Sequence, residues 1–492
     1  MTPSDHVIET GKDGTLFGTT TEEHIDAIVD RIAAAPQVAL HFHGGLVSRE
    51  NGLLIADKLL PVYKAANCDP VFFVWHSGFL EVLKNNLNEI LAEDLMRKVL
   101  VKTAKFVLGK FNQDSGSRAM GIITPERESV VCQHHFPVAL EPKAAESKPR
   151  DAGKPPGLTE LTDEEARVIE DELHEDLELM RAIDDVLAGH LPADVLIGSR
   201  STGRTRASTT SLVDPDVLAE LAPDQGVRSV TTMLLVAKKC VAIITRAIKR
   251  FVDDNDHGLY PTVLEECLRE FYFANVGGAV WAAMKKETED TFVPDLPGRG
   301  GRYFLDKLAG RVRAGARPQI TLIGHSTGSV FIGNFLRAVT RLREPWPADA
   351  AFRVVFEAPS TTYRHFGETL DVAAPLIKEF LMFTMDDEHE QADRLLGALY
   401  PHSLLYLVSG LLERDRNGDS GVEPLVGLAR YLRPVPTDIK PAAPYLSELD
   451  RTVYSPSPPE APVGRRSTAD GHTEFDDDPV LLASLTTFLA RS

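Results

Sequence analysis

Residues 321–330 read TLIGHSTGSV, and no other stretch constrains the fold as tightly. An apolar run stops at Gly324-His325-Ser326-Thr327-Gly328, and apolar residues then resume at helical spacing. A strand that turns sharply into a helix satisfies both halves, which is the context required of a G-x-S-x-G turn. In such a turn the serine takes a strained backbone conformation, and side chains at the flanking positions collide with neighbouring backbone. Glycine removes those collisions and leaves the hydroxyl at the carboxyl edge of a sheet. The free amides at the start of the new helix point at the same spot and favour a developing oxyanion.

The rest of the chain supplies a sheet for that edge. Thr20 and Glu23 stand at capping-box spacing before a helix that Pro36 stops. Residues 37–46 and 69–78 then read as buried strands, each ended by glycine, with a helix at about 51–66 between them. Further strands are expected at 319–324, 352–358, 379–385 and 403–410, with helices at 327–343, 389–398 and 479–490. Strand–helix–strand order implies a mostly parallel sheet covered by helices, an α/β fold. Between 79 and 316 helical periodicity dominates, at 79–110, 161–189, 228–252 and 261–288. The expected organisation is a core of 1–78 and 317–492, split by a mainly helical insertion, or cap, over 79–316. A Pro-, Lys- and Gly-rich linker near 141–160 interrupts the insertion.

Composition narrows the function classes. A formal net charge of −19 over 492 residues argues against nucleic acid as a partner, because phosphate binding needs a basic surface. Four scattered cysteines give no disulfide framework, the N-terminus has no apolar leader, and no apolar run is long enough to span a bilayer. Together these lead to the expectation of a cytoplasmic protein. Cys132-Gln133-His134-His135 has no second Cys/His pair at zinc spacing, so no metal and no cofactor are expected. Gly298-Arg-Gly-Gly lacks the Gly-Lys-Ser/Thr of a phosphate loop. The stretch 229–251 is amphipathic, with Lys238, Lys239, Arg246, Lys249 and Arg250 towards its end; it reads as a cap or core helix, with membrane-surface contact as the alternative.

A serine hydroxyl needs a base, and the base needs a carboxylate to orient it. After Ser326 the sequence offers Asp386 and Asp387 beyond the strand at 379–385, then His472 in the loop before the last helix. Asp387 also stands at capping-box spacing from Glu390, so the choice within the aspartate pair stays open, and Glu357 is the third acid. Oxyanion donors are expected from the Thr327 amide and from HFHGGL, through Gly44, Gly45 or Leu46.

With serine, acid and histidine in this order, the chain resembles the α/β-hydrolase family, in its lipase and esterase branch, over roughly 37–78 and 318–490. The resemblance implies that Ser326 is the nucleophile, His472 the general base and acid, and Asp387 or Asp386 the orienting carboxylate. It also implies an acyl-enzyme route for a carboxylic ester, with a lipid or long acyl ester favoured by the apolar insertion. Thioester cleavage or acyl transfer by the same residues is an alternative, as is an idle hydrolase fold that binds a partner. The family's loop often reads His-Gly-Gly-Gly; Leu46 stands at the third glycine here, which narrows the acyl pocket or changes the donating amide.

Overall fold

The computed structural model describes residues 3–45, 47–75, 79–115, 157–190, 211–221, 230–294, 296–394, 396–413, 422–432, 442–448 and 450–491. Leu46, Cys132–His135 and most of the expected linker lie outside the described residues. Among the described residues seven strands form one sheet: β1 (Val7–Thr10), β2 (Gln37–Phe42), β3 (Asp69–Trp75), β4 (Gln319–His325), β5 (Phe352–Glu357), β6 (Ile377–Met385) and β7 (Thr452–Ser455). Their order is β1-β3-β2-β4-β5-β6-β7. Every neighbouring pair is parallel.

The central strands are apolar on both faces, and the pleat sorts alternate residues into two cores. Leu40, Phe42, Phe73, Leu322, Val354 and Met382 enter the larger one. Ala39, Phe72, Val74, Ile323, Val355 and Leu381 enter the smaller one. Helix α1 (Glu22–Ala33) faces the larger core with Ile25, Ile28 and Ile32, and α2 (Arg49–Ala65) faces the smaller with Ala56, Leu59 and Tyr63.

Between β3 and β4 run the helices of the insertion, among them α3 (Phe79–Ala92), α4 (Asp94–Ser115), α5 (Val230–Val252), α6 (Leu259–Phe271) and α7 (Gly278–Asp290). Their apolar faces, including Val99, Ile243, Ile244 and Leu264, belong to the larger core of the sheet, so the insertion has no separate core among the described residues. It also ends earlier than 316. Helix α8 (Gly300–Arg313) lies against α1, with Lys307 paired to Asp26 and Arg311 to Asp30, and it covers the sheet as the crossover into β4.

The expected basic face of α5 is largely turned inward. Lys239 pairs with Glu220 and Glu270, Arg246 with Glu266 and Glu270, and the buried Arg250 with Glu265 and Glu266. Among the described residues no helix is long and apolar enough to cross a membrane.

Three local expectations are corrected. Residues 403–410 are helical rather than extended: Ser403 caps a helix at Leu404–Leu407 that widens into a π turn at Val408–Leu412. A short, wholly apolar run fits a buried helix as well as a buried strand, and its period cannot separate them. The first cap is Thr21, which accepts from the His24 amide, one residue beyond the expected Thr20. The helix expected at 261–288 is broken at Tyr272 and again at Gly277, which sits in the left-handed region at φ 112.

The topology decides where chemistry can happen. From the central strand β2 the chain steps outward to β3, then returns to β4 on the other side of β2. The carboxyl ends of β2 and β4 flank this switch in strand order, the usual ligand position of an open parallel sheet. His43-Gly44-Gly45 and Ser326 both lie at that edge.

Candidate active site

Ser326 follows directly on β4 and holds φ at +50, an unfavourable conformation for a residue with a side chain. Such strain costs about 1–3 kcal/mol and persists only when the surroundings enforce it. Here they do. The Ser326 amide donates to Glu357 O at 2.8 Å, and its carbonyl accepts from Ser329 N at 3.1 Å, Ser329 Oγ at 2.6 Å and Ser360 N at 3.1 Å. The two motif glycines make the close approach feasible. A Cβ on Gly324 would lie 2.7 Å from the Gly328 backbone, and one on Gly328 would strike the Phe42 carbonyl of β2. Helix α9 (Gly328–Thr340) then starts with Thr327 at its N-cap, aiming its first amides back at the serine.

The His472 ring reaches this serine across 146 residues, with Nε2 at 3.0 Å from Ser326 Oγ. Both groups are buried, Ser326 3 % and His472 2 % exposed. Burial, then repulsion from His325, pushes the His472 pKa down to about 3, so the ring is neutral at physiological pH. For Nε2 to accept the serine proton, the ring proton must sit on Nδ1. Among the described residues that buried Nδ1 has no hydrogen-bond partner.

The expected acids do not reach this nitrogen. Asp386 is the N-cap of α10 (Asp387–Ala392): its carboxylate accepts from the His389 amide at 2.9 Å and pairs with the His389 ring at 2.8 Å, at 42 % exposure. Asp387 accepts from Tyr406 Oη at 2.7 Å and Gln391 Nε2 at 3.0 Å. Neither bonds the His472 ring. The cap is one residue earlier than the Asp387–Glu390 spacing implied, because Asp386 is the last extended residue before α10. Glu357 also fails as an anion. Burial, then the Asp476 charge, pushes its pKa up to about 8, which leaves it a neutral acid near pH 7.

Two other carboxylates hold the histidine loop. Asp393 Oδ2 accepts the His472 backbone amide at 3.0 Å. Asp476 Oδ2 pairs at 2.8 Å with His325 Nδ1, and His325 Nε2 lies 3.0 Å from the His472 carbonyl. Sequence reasoning missed all three residues. Asp393 sits after the same strand as the expected acids, and Asp476 lies four residues beyond His472, so proximity to those positions was the available signal.

The expected glycine turn does lie beside Ser326 and Thr327. Gly44 approaches Ser326 so closely that a Cβ there would sit 3.4 Å from Ser326 Cβ, and one on Gly45 would lie 2.7 Å from Thr327 Oγ1. Among the described residues the Gly45 and Thr327 amides donate to no acceptor. His43 fixes the turn: its Nδ1 donates to Gly44 O at 2.7 Å, its Nε2 accepts the Trp75 amide at 3.2 Å, and its ring stacks on Trp75 at 3.9 Å. The insertion touches this corner. Met284 of α7 abuts Gly45, and α7 is anchored by Trp281 Nε1 donating to Glu413 at 3.0 Å and by Asn334 Nδ2 donating to Thr288 Oγ1 at 2.9 Å.

These buried groups set a pH dependence of stability. Burial pushes His41, His43 and His365 down to about 4, and His257 and His472 down to about 3. Their contribution is complete above the unfolded value of 6.5 and is lost as pH falls towards 4 and 3. Glu357 and His325 act in the opposite sense. For His325 burial lowers the pKa but the Asp476 charge outweighs it, raising it to about 9. The contributions of Glu357 and His325 are complete below 4.5 and 6.5 and are lost as pH rises through about 8 and about 9. Thermal unfolding should therefore show its highest midpoint near pH 6.5 and decline on both sides; a midpoint that stays level from pH 6.5 to 9.5 would contradict this.

Compared with known proteins, the chain matches no family model, no curated protein and no solved structure.

Proposed function

We propose that this chain is a serine hydrolase of the α/β-hydrolase type, cleaving a carboxylic ester through an acyl-enzyme intermediate. The observation that carries the reading is the 3.0 Å contact between His472 Nε2 and the Oγ of Ser326, which itself is held at positive φ between a strand and a helix. Both halves of that contact are what nucleophile activation requires, and neither is needed to pack a sheet edge.

In this reading Ser326 Oγ attacks the acyl carbon while His472 Nε2 takes its proton. The Gly45 and Thr327 amides receive the developing oxyanion, each worth about 3–4 kcal/mol on the usual scale. His472 then protonates the leaving alcohol, and a water deprotonated by the same nitrogen releases the acid. The carboxylate nearest in role is Asp393, which already grips the His472 amide. Asp393→Asn is expected to lower kcat by at least about 10-fold, the lower end for removal of an orienting partner, with Asp386→Asn and Asp387→Asn close to wild type. Steady-state hydrolysis of p-nitrophenyl butyrate compares the three; a greater loss in either of the latter would return the acid to that pair.

The apolar insertion and Met284 beside the oxyanion turn favour an apolar acyl chain over a polar one on the acid side of the ester. A second reading, a fold of this type that binds a partner without turnover, draws on the unpartnered His472 Nδ1 and the burial of Ser326. Reaction with a fluorophosphonate probe separates the two. Labelling of the wild type that disappears in Ser326→Ala supports the hydrolase; a folded wild type that stays unlabelled overturns it.

A further inference from the structure

His325, the residue before the nucleophile, has both ring nitrogens engaged with acceptors. Nδ1 faces the Asp476 carboxylate at 2.8 Å and Nε2 faces the His472 carbonyl at 3.0 Å. A neutral imidazole carries a single N–H and satisfies only one of them, so both bonds together require the imidazolium. The pair is buried, with side chains 5 % and 7 % exposed. A buried ion pair offers little net stability over apolar packing of the same volume. Its placement is therefore the informative feature: it bridges the nucleophile turn to the backbone of the very residue whose ring meets Ser326 Oγ.

We propose that His325 and Asp476 are a positioning pair that holds the backbone of His472 in register with Ser326. This rests on the Ser326–His472 reading and deepens it. The His472 peptide is gripped at both ends, its amide by Asp393 at 3.0 Å and its carbonyl by His325. With those ends fixed, the ring has few ways to leave the serine, although its Nδ1 makes no bond among the described residues. The same anchor ties the loop to β4, because His325 is the last residue of that strand. The other ionisable groups around the pair are Glu357, opposite His325 in the β4–β5 register, His41 and His43, whose charged forms would interact with Asp476, and His472 itself, its ring centroid 5.4 Å from that of His325. Of these only Asp476 opposes the imidazolium with a full charge near neutrality, so its removal should release the proton.

Asp476→Asn keeps the shape and deletes the charge, and His325→Gln can serve only one of the two acceptors. Each should lower kcat for p-nitrophenyl butyrate by about 10²-fold, the scale of a 1 Å misplacement of a reacting group, with KM changed less than about 3-fold. In the Asp476→Asn variant the alkaline limb of the kcat–pH profile should move to lower pH, which a loss of packing alone would not produce. Retention of more than half the wild-type kcat with an unmoved profile would overturn the pair. Wild-type protein labelled with 15N-histidine provides a test independent of both turnover and variant folding. One imidazolium should keep both ring protons at pH 8, where an ordinary histidine is neutral; absence of any such ring would overturn the proposal. If the wild type shows this ring but no fluorophosphonate labelling, the hydrolase reading falls and the bridge stands.

Discussion

Ser326→Ala and His472→Ala are each expected to lower turnover of an ester substrate at least about 10³-fold, the loss typical when one member of a cooperating nucleophile–base pair is removed. The two losses should not add. Without the serine there is nothing for the imidazole to deprotonate, and without the imidazole a hydroxyl of ordinary pKa is a poor nucleophile. The double variant should thus fall to about the same residual rate as either single one, that residue being the work of the oxyanion amides and of substrate binding. KM should move little, since neither side chain offers much to the bound ground state. Folding controls matter at this site. Removing the Ser326 hydroxyl takes away one contact of a neutral ring, and the +50 φ is enforced by backbone bonds to Glu357 and Ser360 that alanine retains. The variant should unfold at close to the wild-type temperature. More than a tenth of wild-type turnover in either single variant would refute the assignment of both roles.

The sequence exposes some parts of this site and hides others for identifiable reasons. Ser326, His472, Gly44, Gly45 and Thr327 were readable because each is tied to a local rule: glycines at a close backbone approach, a serine between strand and helix, a histidine in the loop before the last helix. The structure brings all five to one edge. The groups that hold the His472 loop were not readable. Nine aspartates and glutamates crowd the segment 386–393 and the loop 474–478, and any of them can cap a helix, pair at the surface or face inward. Spacing correctly signalled a cap near Asp387, and Asp386 and Asp387 are occupied by just such duties with His389 and Tyr406. Asp393 and Asp476 are distinguished only by contacts made 79 and 151 residues away along the chain. The x position of G-x-S-x-G carried no expectation at all, yet His325 there is the residue that joins the two halves of the site.

The sheet shows the same division. Five central strands announce themselves through unbroken apolar runs, because both faces are buried. The edge strands β1 and β7 are four residues each, VIET and TVYS, too short to show a period. The insertion was recognisable as helical, but its boundary was not. Helix α8 has the same amphipathic pattern as its predecessors, and only its packing on α1 shows that it belongs to the sheet layer.

Gly328→Ala is expected to cost the protein about 3 kcal/mol or more of stability, at or beyond the upper end for a side chain forced into filled space. The reason lies in what surrounds the position. A methyl at residue 328 would strike the carbonyl oxygen of Phe42, lie 2.9 Å from the Phe42 carbonyl carbon and 3.2 Å from its Cβ. Those atoms are backbone in the central strand β2, bonded on one side to β3 and on the other to β4, so they have no rotamer through which to yield. Relief must come from α9 lifting away from the sheet. That displacement moves Thr327 and Ser326 together, away from His472. Activity should then collapse in whatever fraction remains folded. Gly310→Ala is the matching control: it lies inside α8, nothing stands within 4 Å of the added carbon, and helix propensity alone predicts a gain of about 0.5–1 kcal/mol. Denaturant midpoints of the two variants should shift in opposite directions from wild type. A Gly328→Ala protein as stable and as active as Gly310→Ala would mean that the turn does not seat against β2, and the nucleophile geometry built on that contact would fail with it.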